Sequence, residues 1–181
     1  MKKLFMMLVL ICFSVQAYPQ FASDRYSDTY EGDGWLQKGY RGFVEIGVGG
    51  DIADGYPSFF ISTTHGYQFS EWIFAGAGLG YLYTQENEYD WSEPCSQNSM
   101  ALYADARLTI PTRSRFYPYA DLKLGGSFFG NSGTGIYFNA QLGARYAINE
   151  NWGISLGWYT NVVPDDNANA PIMGVALGFD F

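Results

Sequence analysis

The sequence predicts an all-β fold, an eight-stranded antiparallel up-and-down transmembrane β-barrel, and three observations carry that expectation. From residue 39 onward, apolar side chains recur at every second position in eight successive segments. That is the period of a strand whose two faces meet different surroundings. The linkers alternate between tight turns and longer connections, as strands running up and down through a bilayer require. Finally, aromatic residues make up 19% of the chain and charged residues only 15%, with 22 glycines crowding the polar faces. A soluble domain is usually richer in charge and poorer in aromatic residues.

Each element follows from its own alternation. The first segment sets Tyr40, Val44, Ile46 and Val48 against Arg41, Phe43, Glu45, Gly47 and Gly49. The second sets Phe59, Ile61, Tyr67 and Phe69 against Ser58, Ser62, Thr64, Gly66 and Gln68. In the third, Ile73, Ala75, Ala77, Leu79, Tyr81 and Tyr83 oppose Phe74, Gly76, Gly78 and Gly80. The fourth places Met100, Leu102, Ala104, Ala106, Leu108 and Ile110 across from Tyr103, Asp105, Arg107 and Thr109. Ala120, Leu122, Leu124 and Phe128 of the fifth oppose Tyr119, Asp121, Lys123, Gly125 and Ser127. The sixth has Ile136, Phe138, Ala140, Leu142, Ala144 and Tyr146 facing away from Asn139, Gln141, Gly143 and Arg145. Ile154, Leu156 and Trp158 alternate with Gly153, Ser155, Gly157 and Tyr159 in the seventh. The last puts Met173, Val175, Leu177, Phe179 and Phe181 opposite Ile172, Gly174, Ala176, Gly178 and Asp180.

Each segment has roughly the 9–11 residues that cross a bilayer at a tilt. Tight turns are expected at Ser70-Glu71, Pro111 to Arg115 and Asn149 to Asn151. Longer connections span Asp51 to Pro57, Gln85 to Asn98, Gly130 to Thr134 and Pro164 to Ala170. An even strand number leaves both barrel ends on the side of the short turns, the periplasmic one.

Residues 1–17 read as a secretory signal peptide: Lys2 and Lys3, an apolar run from Leu4 to Phe13, then Val15-Gln16-Ala17. Cys12 follows Ile11 and no small residue, so lipidation is not expected. Residues 18–38 are acidic and aperiodic, an irregular N-terminal periplasmic segment that is either disordered or tucked into the barrel mouth. Residues 39–181 form the barrel, with no second domain. Removing the signal leaves 8 basic residues against 18 acidic ones, which excludes nucleic acid as a partner. Only Cys95 remains, so no internal disulfide framework arises.

The alternative is a soluble barrel with its apolar face inward. Glycine argues against it, because it is a poor residue for exposed strands but suits a lumen where eight strands leave room only for side chains. The inward face then carries four cations, Arg41, Arg107, Lys123 and Arg145, and four anions, Glu45, Asp105, Asp121 and Asp180. Confined charges must be paired or wet. A tight turn near Arg113 sets Asp105 opposite Lys123 and Arg107 opposite Asp121, and such pairs fix register. A salt-bridged network inside the barrel is the expectation; charges that merely line water are the alternative. Aromatic rings sort to the strand ends. Tyr40, Tyr67, Phe69, Trp72, Phe116, Tyr117, Tyr146, Trp152, Phe179 and Phe181 lie at one rim, and Phe59, Tyr81, Tyr83, Phe128 and Trp158 nearer the other, as in interfacial girdles.

The segments HGYQFSEWIFAGAGLGY, RFYPYADLKLGGSF, ARYAINENWGISLGWY and GVALGFDF resemble the porin-like outer-membrane β-barrel family, the small eight-stranded relatives of the OmpA and OmpX barrels. The resemblance covers about residues 39–181 and implies a place in the outer membrane of a Gram-negative bacterium, among outer-membrane lipid. It implies handling by periplasmic chaperones and the barrel-assembly machinery, with Phe179 and Phe181 as the assembly signal. No peptidoglycan-binding domain is expected after the barrel, so wall anchoring is not implied.

No catalytic residue, cofactor or metal is expected. The only histidine, His65, shares the lipid-facing side with Ile61, Thr63 and Tyr67, where no carboxylate completes a triad. Asp51, Asp54, Glu86, Glu88, Asp90, Glu93, Asp165 and Asp166 make the outer loops acidic. They lack calcium-loop spacing. They are either a plain solvated face or a patch that attracts cationic solutes or a surface partner. Three roles compete: a structural or surface scaffold with a charge-paired lumen, a small passive pore, and a lipid-modifying enzyme as the least favoured. The pore reading rests on the glycines, which would leave lumenal space that bulky residues fill elsewhere.

Overall fold

The computed structural model describes residue 36 and residues 38–52, 55–85, 96–112, 114–129, 133–162 and 171–181. Within them lie eight strands: β1 (Gly39–Asp51), β2 (Pro57–Gln68), β3 (Ile73–Gln85), β4 (Ser96–Thr109), β5 (Phe116–Phe129), β6 (Gly133–Ala147), β7 (Gly153–Val162) and β8 (Ile172–Asp180). They follow one another around a closed barrel in sequence order. Every neighbouring pair is antiparallel, and β1 pairs with β8 to close the ring. Closure leaves no free strand edge, which is the condition for a sheet to stand in hydrocarbon.

The apolar faces point outward. Val48, Leu142, Ile136 and Trp158 stand exposed, while Phe43, Glu45, Lys123 and Asn161 are buried in the lumen. The soluble-barrel alternative, with its greasy face inward, is therefore excluded by which side the side chains occupy.

The strands run longer than the alternation suggests. β6 has 15 residues, and β3 stays paired with β4 as far as Gln85 opposite Ser96. Apolar alternation marks only the stretch that meets lipid. Backbone pairing needs no apolar side chain, so the ladder continues into water at the outer end.

The tight turns are locally encoded. Between β6 and β7 the Asn149 side chain accepts from the backbone N–H of Asn151 and Trp152, at 2.9 and 2.7 Å. This is an asparagine turn that caps the reversal. Between β4 and β5 the Thr112 and Ser114 hydroxyls hydrogen-bond each other at 3.0 Å.

Several glycines are matched by bulk from neighbouring strands, whereas a Cβ at Gly80 or Gly126 would meet nothing closer than 3.5 Å. At Gly47, Gly78 and Gly143 an aromatic ring from a neighbouring strand occupies the room the glycine provides. A Cβ at Gly47 would collide with the Phe60 ring. One at Gly78 would stand 2.6 Å from the Tyr103 ring, and one at Gly143 would stand 2.8 Å from that of Tyr119. At these positions small residues on one strand are the complement of large ones on the next.

Leu36 is buried in a cluster with Tyr117 and Ala147, at the barrel end that carries the tight turns. Residues 1–17, most of 18–38, the loop acids Asp54, Glu86, Glu88, Asp90, Glu93, Asp165 and Asp166, and Cys95 lie outside the described residues.

Candidate functional site: the lumenal ion-pair network

Alternation along five strands brings all eight sequence-derived charges to the lumen. β1 contributes Arg41 and Glu45, β4 Asp105 and Arg107, β5 Asp121 and Lys123, β6 Arg145, and β8 Asp180. All eight are buried. They form two groups.

In the group nearer the middle, Arg107 Nη2 donates to Glu45 Oε1 at 2.6 Å and Nε donates to Asp121 Oδ2 at 3.1 Å. Lys123 Nζ pairs with Glu45 and lies 3.7 Å from Asp121 Oδ2. The Arg107 guanidinium is also stacked between rings, 4.1 Å from the Phe43 centroid and 4.5 Å from that of Tyr119. Cation–π contacts of this desolvated kind add to the ionic attraction. The second group sits nearer the end that carries the tight turns. Asp180 Oδ2 accepts from Arg41 Nη1 at 2.8 Å and from Arg145 Nε at 2.7 Å.

The β4–β5 register places Asp105 opposite Lys123 and Arg107 opposite Asp121, as the turn near Arg113 suggests. Of these facing pairs Arg107–Asp121 bonds, whereas Asp105 and Lys123 do not. Lys123 crosses the lumen to Glu45, and neither carboxylate oxygen of Asp105 has a hydrogen-bond partner among the described residues. A long amine in a barrel this narrow reaches the opposite wall, where Glu45 also takes a bond from Arg107, so one carboxylate gathers two cations.

Neutral side chains fill the lumen beside and beyond the charges, and charge-based reading missed them. Thr64 and Tyr103 hydroxyls hydrogen-bond at 3.0 Å, and Gln141 Nε2 donates to the Tyr119 hydroxyl at 2.9 Å. Asn161 Oδ1 accepts from Asn139 Nδ2 and from the Tyr137 hydroxyl. Phe60 and Tyr159 pack edge to face with centroids 4.7 Å apart. The signal for Tyr137 and Asn161 was the same alternation, continued past the residues that carry charge. Tyr117 corrects the girdle assignment: it is 1% exposed and lies under Arg145 in the lumen. It follows Phe116, which took the outward position.

Phe179 and Phe181 stack with centroids 6.3 Å apart, and Trp152 packs edge-on to Phe179 at 5.2 Å. His65 faces lipid between Tyr40 and Thr63. No group of three His, Cys, Asp or Glu among the described residues is arranged to hold a metal ion. Of the loop acids only Asp51 is described, at the end of β1.

Solved structures show where this architecture recurs. The outer membrane protein OprG from Pseudomonas aeruginosa superposes with a TM-score of 0.58 at 11% identity, over 81% of this chain and 98% of that one. Neisserial surface protein A gives 0.54 at 17% identity over 79% and 95%, and the outer membrane enzyme PagL gives 0.54 at 11% over 77% and 98%. At these identities the likeness is one of fold. No curated protein matches the chain. The sequence model described as the outer membrane protein beta-barrel domain matches residues 5–181. A closed barrel with a lipid-facing exterior, matched over nearly its whole length by that model, makes this chain a member of the outer membrane protein beta-barrel family and a protein of the bacterial outer membrane.

Proposed function

We propose that this barrel is a closed structural scaffold of the outer membrane, which holds its lumen shut with ion pairs and presents its outer loops at the cell surface. One observation carries the reading: the lumenal charges are sealed, with Lys123 and Glu45 each 1% exposed. A water-filled channel would leave such side chains wet, because a sphere the size of water would reach them. The lumen instead packs two ionic groups among hydrogen-bonded Tyr, Asn and Gln side chains.

Buried ion pairs add little net stability over apolar packing, but removing one partner is costly, because it strands the other. A network of this kind therefore favours one register and one closed arrangement over its competitors. This supports a scaffold more than a conduit, which would favour exchangeable, hydrated charges.

The reading is tested by swelling of proteoliposomes in small sugars and amino acids. A closed scaffold gives the rate of protein-free vesicles. Swelling that scales with protein content would replace it with a passive pore.

A further inference from the structure

We infer that the lipid-facing wall carries a hydrogen-bonding site for a phospholipid of the periplasmic leaflet, built from Tyr40, His65 and Thr63. His65 is bonded at both ring nitrogens: the Tyr40 hydroxyl lies 2.5 Å from Nδ1 and the Thr63 hydroxyl 3.1 Å from Nε2. The imidazole is also held by rings. Tyr40 stacks on it with centroids 6.0 Å apart, and Phe181 meets it edge-on at 6.2 Å. Gly42, opposite His65 in the β1–β2 ladder, makes this placement fit. A Cβ there would stand 2.7 Å from the Phe181 ring and 3.3 Å from His65 Nδ1.

The hydrogens of this relay do not close on themselves. A neutral imidazole has one donor and one acceptor nitrogen, and each hydroxyl brings one hydrogen. The three groups thus hold three donor hydrogens and make two bonds with one another. The relay runs either from Thr63 through His65 to Tyr40, or from Tyr40 through His65 to Thr63. In both directions the last hydroxyl keeps a hydrogen with no acceptor among the described residues. A hydroxyl left unmet in an apolar medium is costly, and this wall faces lipid.

The height selects the partner. Tyr40 is the second residue of β1, at the level of Tyr67, Trp72, Tyr146 and Trp152, whose exposed rings mark the periplasmic interface. The lipid acceptors at that level, in competition with interfacial water, are the glycerol-ester and phosphate oxygens of a phospholipid. Beside His65 the wall is unusually low. Ala77 is opposite His65 and Ala104 opposite Ala77, with Ala75 and Ala106 paired in the adjacent row. These small side chains form a lane in which an acyl chain can lie while its headgroup meets the open hydroxyl.

The test is native mass spectrometry of the refolded full chain released from micelles containing dioleoyl phosphatidylethanolamine. Wild type is compared with Y40F, T63V and, as a control on the same wall, I61V. Each variant deletes one hydroxyl or one methylene from the exterior, and heat-modifiable electrophoretic migration verifies that the barrel has folded. The expected result is a lipid-bound species in wild type and I61V. Its population should fall by about three- to tenfold in Y40F or T63V, the size of one lost hydrogen bond. Equal retention by all four proteins, or no lipid-bound wild type, overturns the site.

Discussion

Arg107 on β4 reaches across the lumen to Glu45 on β1, its Nη2 2.6 Å from Glu45 Oε1. The two strands are not neighbours in the barrel, so this bond spans the interior and ties opposite walls together. Arg107 also bonds Asp121 on the adjacent strand, and the pair of contacts makes it the hub of the lumen.

Loss of the hub is expected to be severe. R107Q leaves two buried carboxylates short of a cation and should destabilise the barrel by about 3–5 kcal/mol. Urea titration of the protein refolded in phospholipid vesicles measures this. The charge-swapped R107D/D121R protein should recover only part of the loss, because Glu45 would then face a carboxylate at position 107.

Asp105 and Asp121 are expected to differ sharply, although both are lumenal and buried. Asp121 accepts from Arg107, whereas the oxygens of Asp105 have no hydrogen-bond partner among the described residues. D121N should therefore cost several kcal/mol, about the price of breaking a buried pair, while D105N stays within about 1 kcal/mol of wild type or is stabilising. The same titration decides it, and equal losses would show that the charge of Asp105 matters as much as that of Asp121.

The complement between glycine and ring is testable at one site. G47A drives a methyl into the Phe60 ring and should cost about 1–3 kcal/mol by overpacking. F60L in the same chain should recover part of that loss, although it is a loss of its own in wild type. Additive effects in the double variant would show that the two positions do not share space.

Phe179 and Phe181 lie on the lipid-facing side of the closing strand and its extension, with Phe181 paired through its backbone to Gly42. The expected role in assembly separates biogenesis from stability. F181A should refold in vesicles nearly as well as wild type, yet reach the outer membrane of cells in much smaller amounts. Western analysis of heat-modifiable barrel in membrane fractions measures that. Equal cellular yield would leave Phe181 as an ordinary rim residue.

The barrel was legible because period two is a local property: each strand carries its own inside and outside, and the turn near Arg113 sets Asp105 against Lys123 without reference to the rest of the chain. What lay beyond reading depends on closure. That Lys123 meets Glu45 follows from the width of the lumen and the stagger of β1 against β5, neither of which is written in any one segment. Tyr117 looked like a rim residue because it is aromatic and near a strand end, but its position beside Phe116 sends it inward. The glycines were read as lumenal, but which of them leave space was not legible, because the rings that fill Gly47, Gly78 and Gly143 come from other strands. Leu36, buried against Tyr117 and Ala147, sits in a stretch with no periodicity to mark it.

Single-channel recording of the refolded protein in a planar bilayer tests the closed lumen most directly. Wild type should be silent at voltages where the membrane itself holds, and E45Q, which releases Arg107 and Lys123 together, should produce brief openings. Steady, protein-dependent conductance in wild type would contradict a sealed scaffold and make the ion-paired lumen a conducting path.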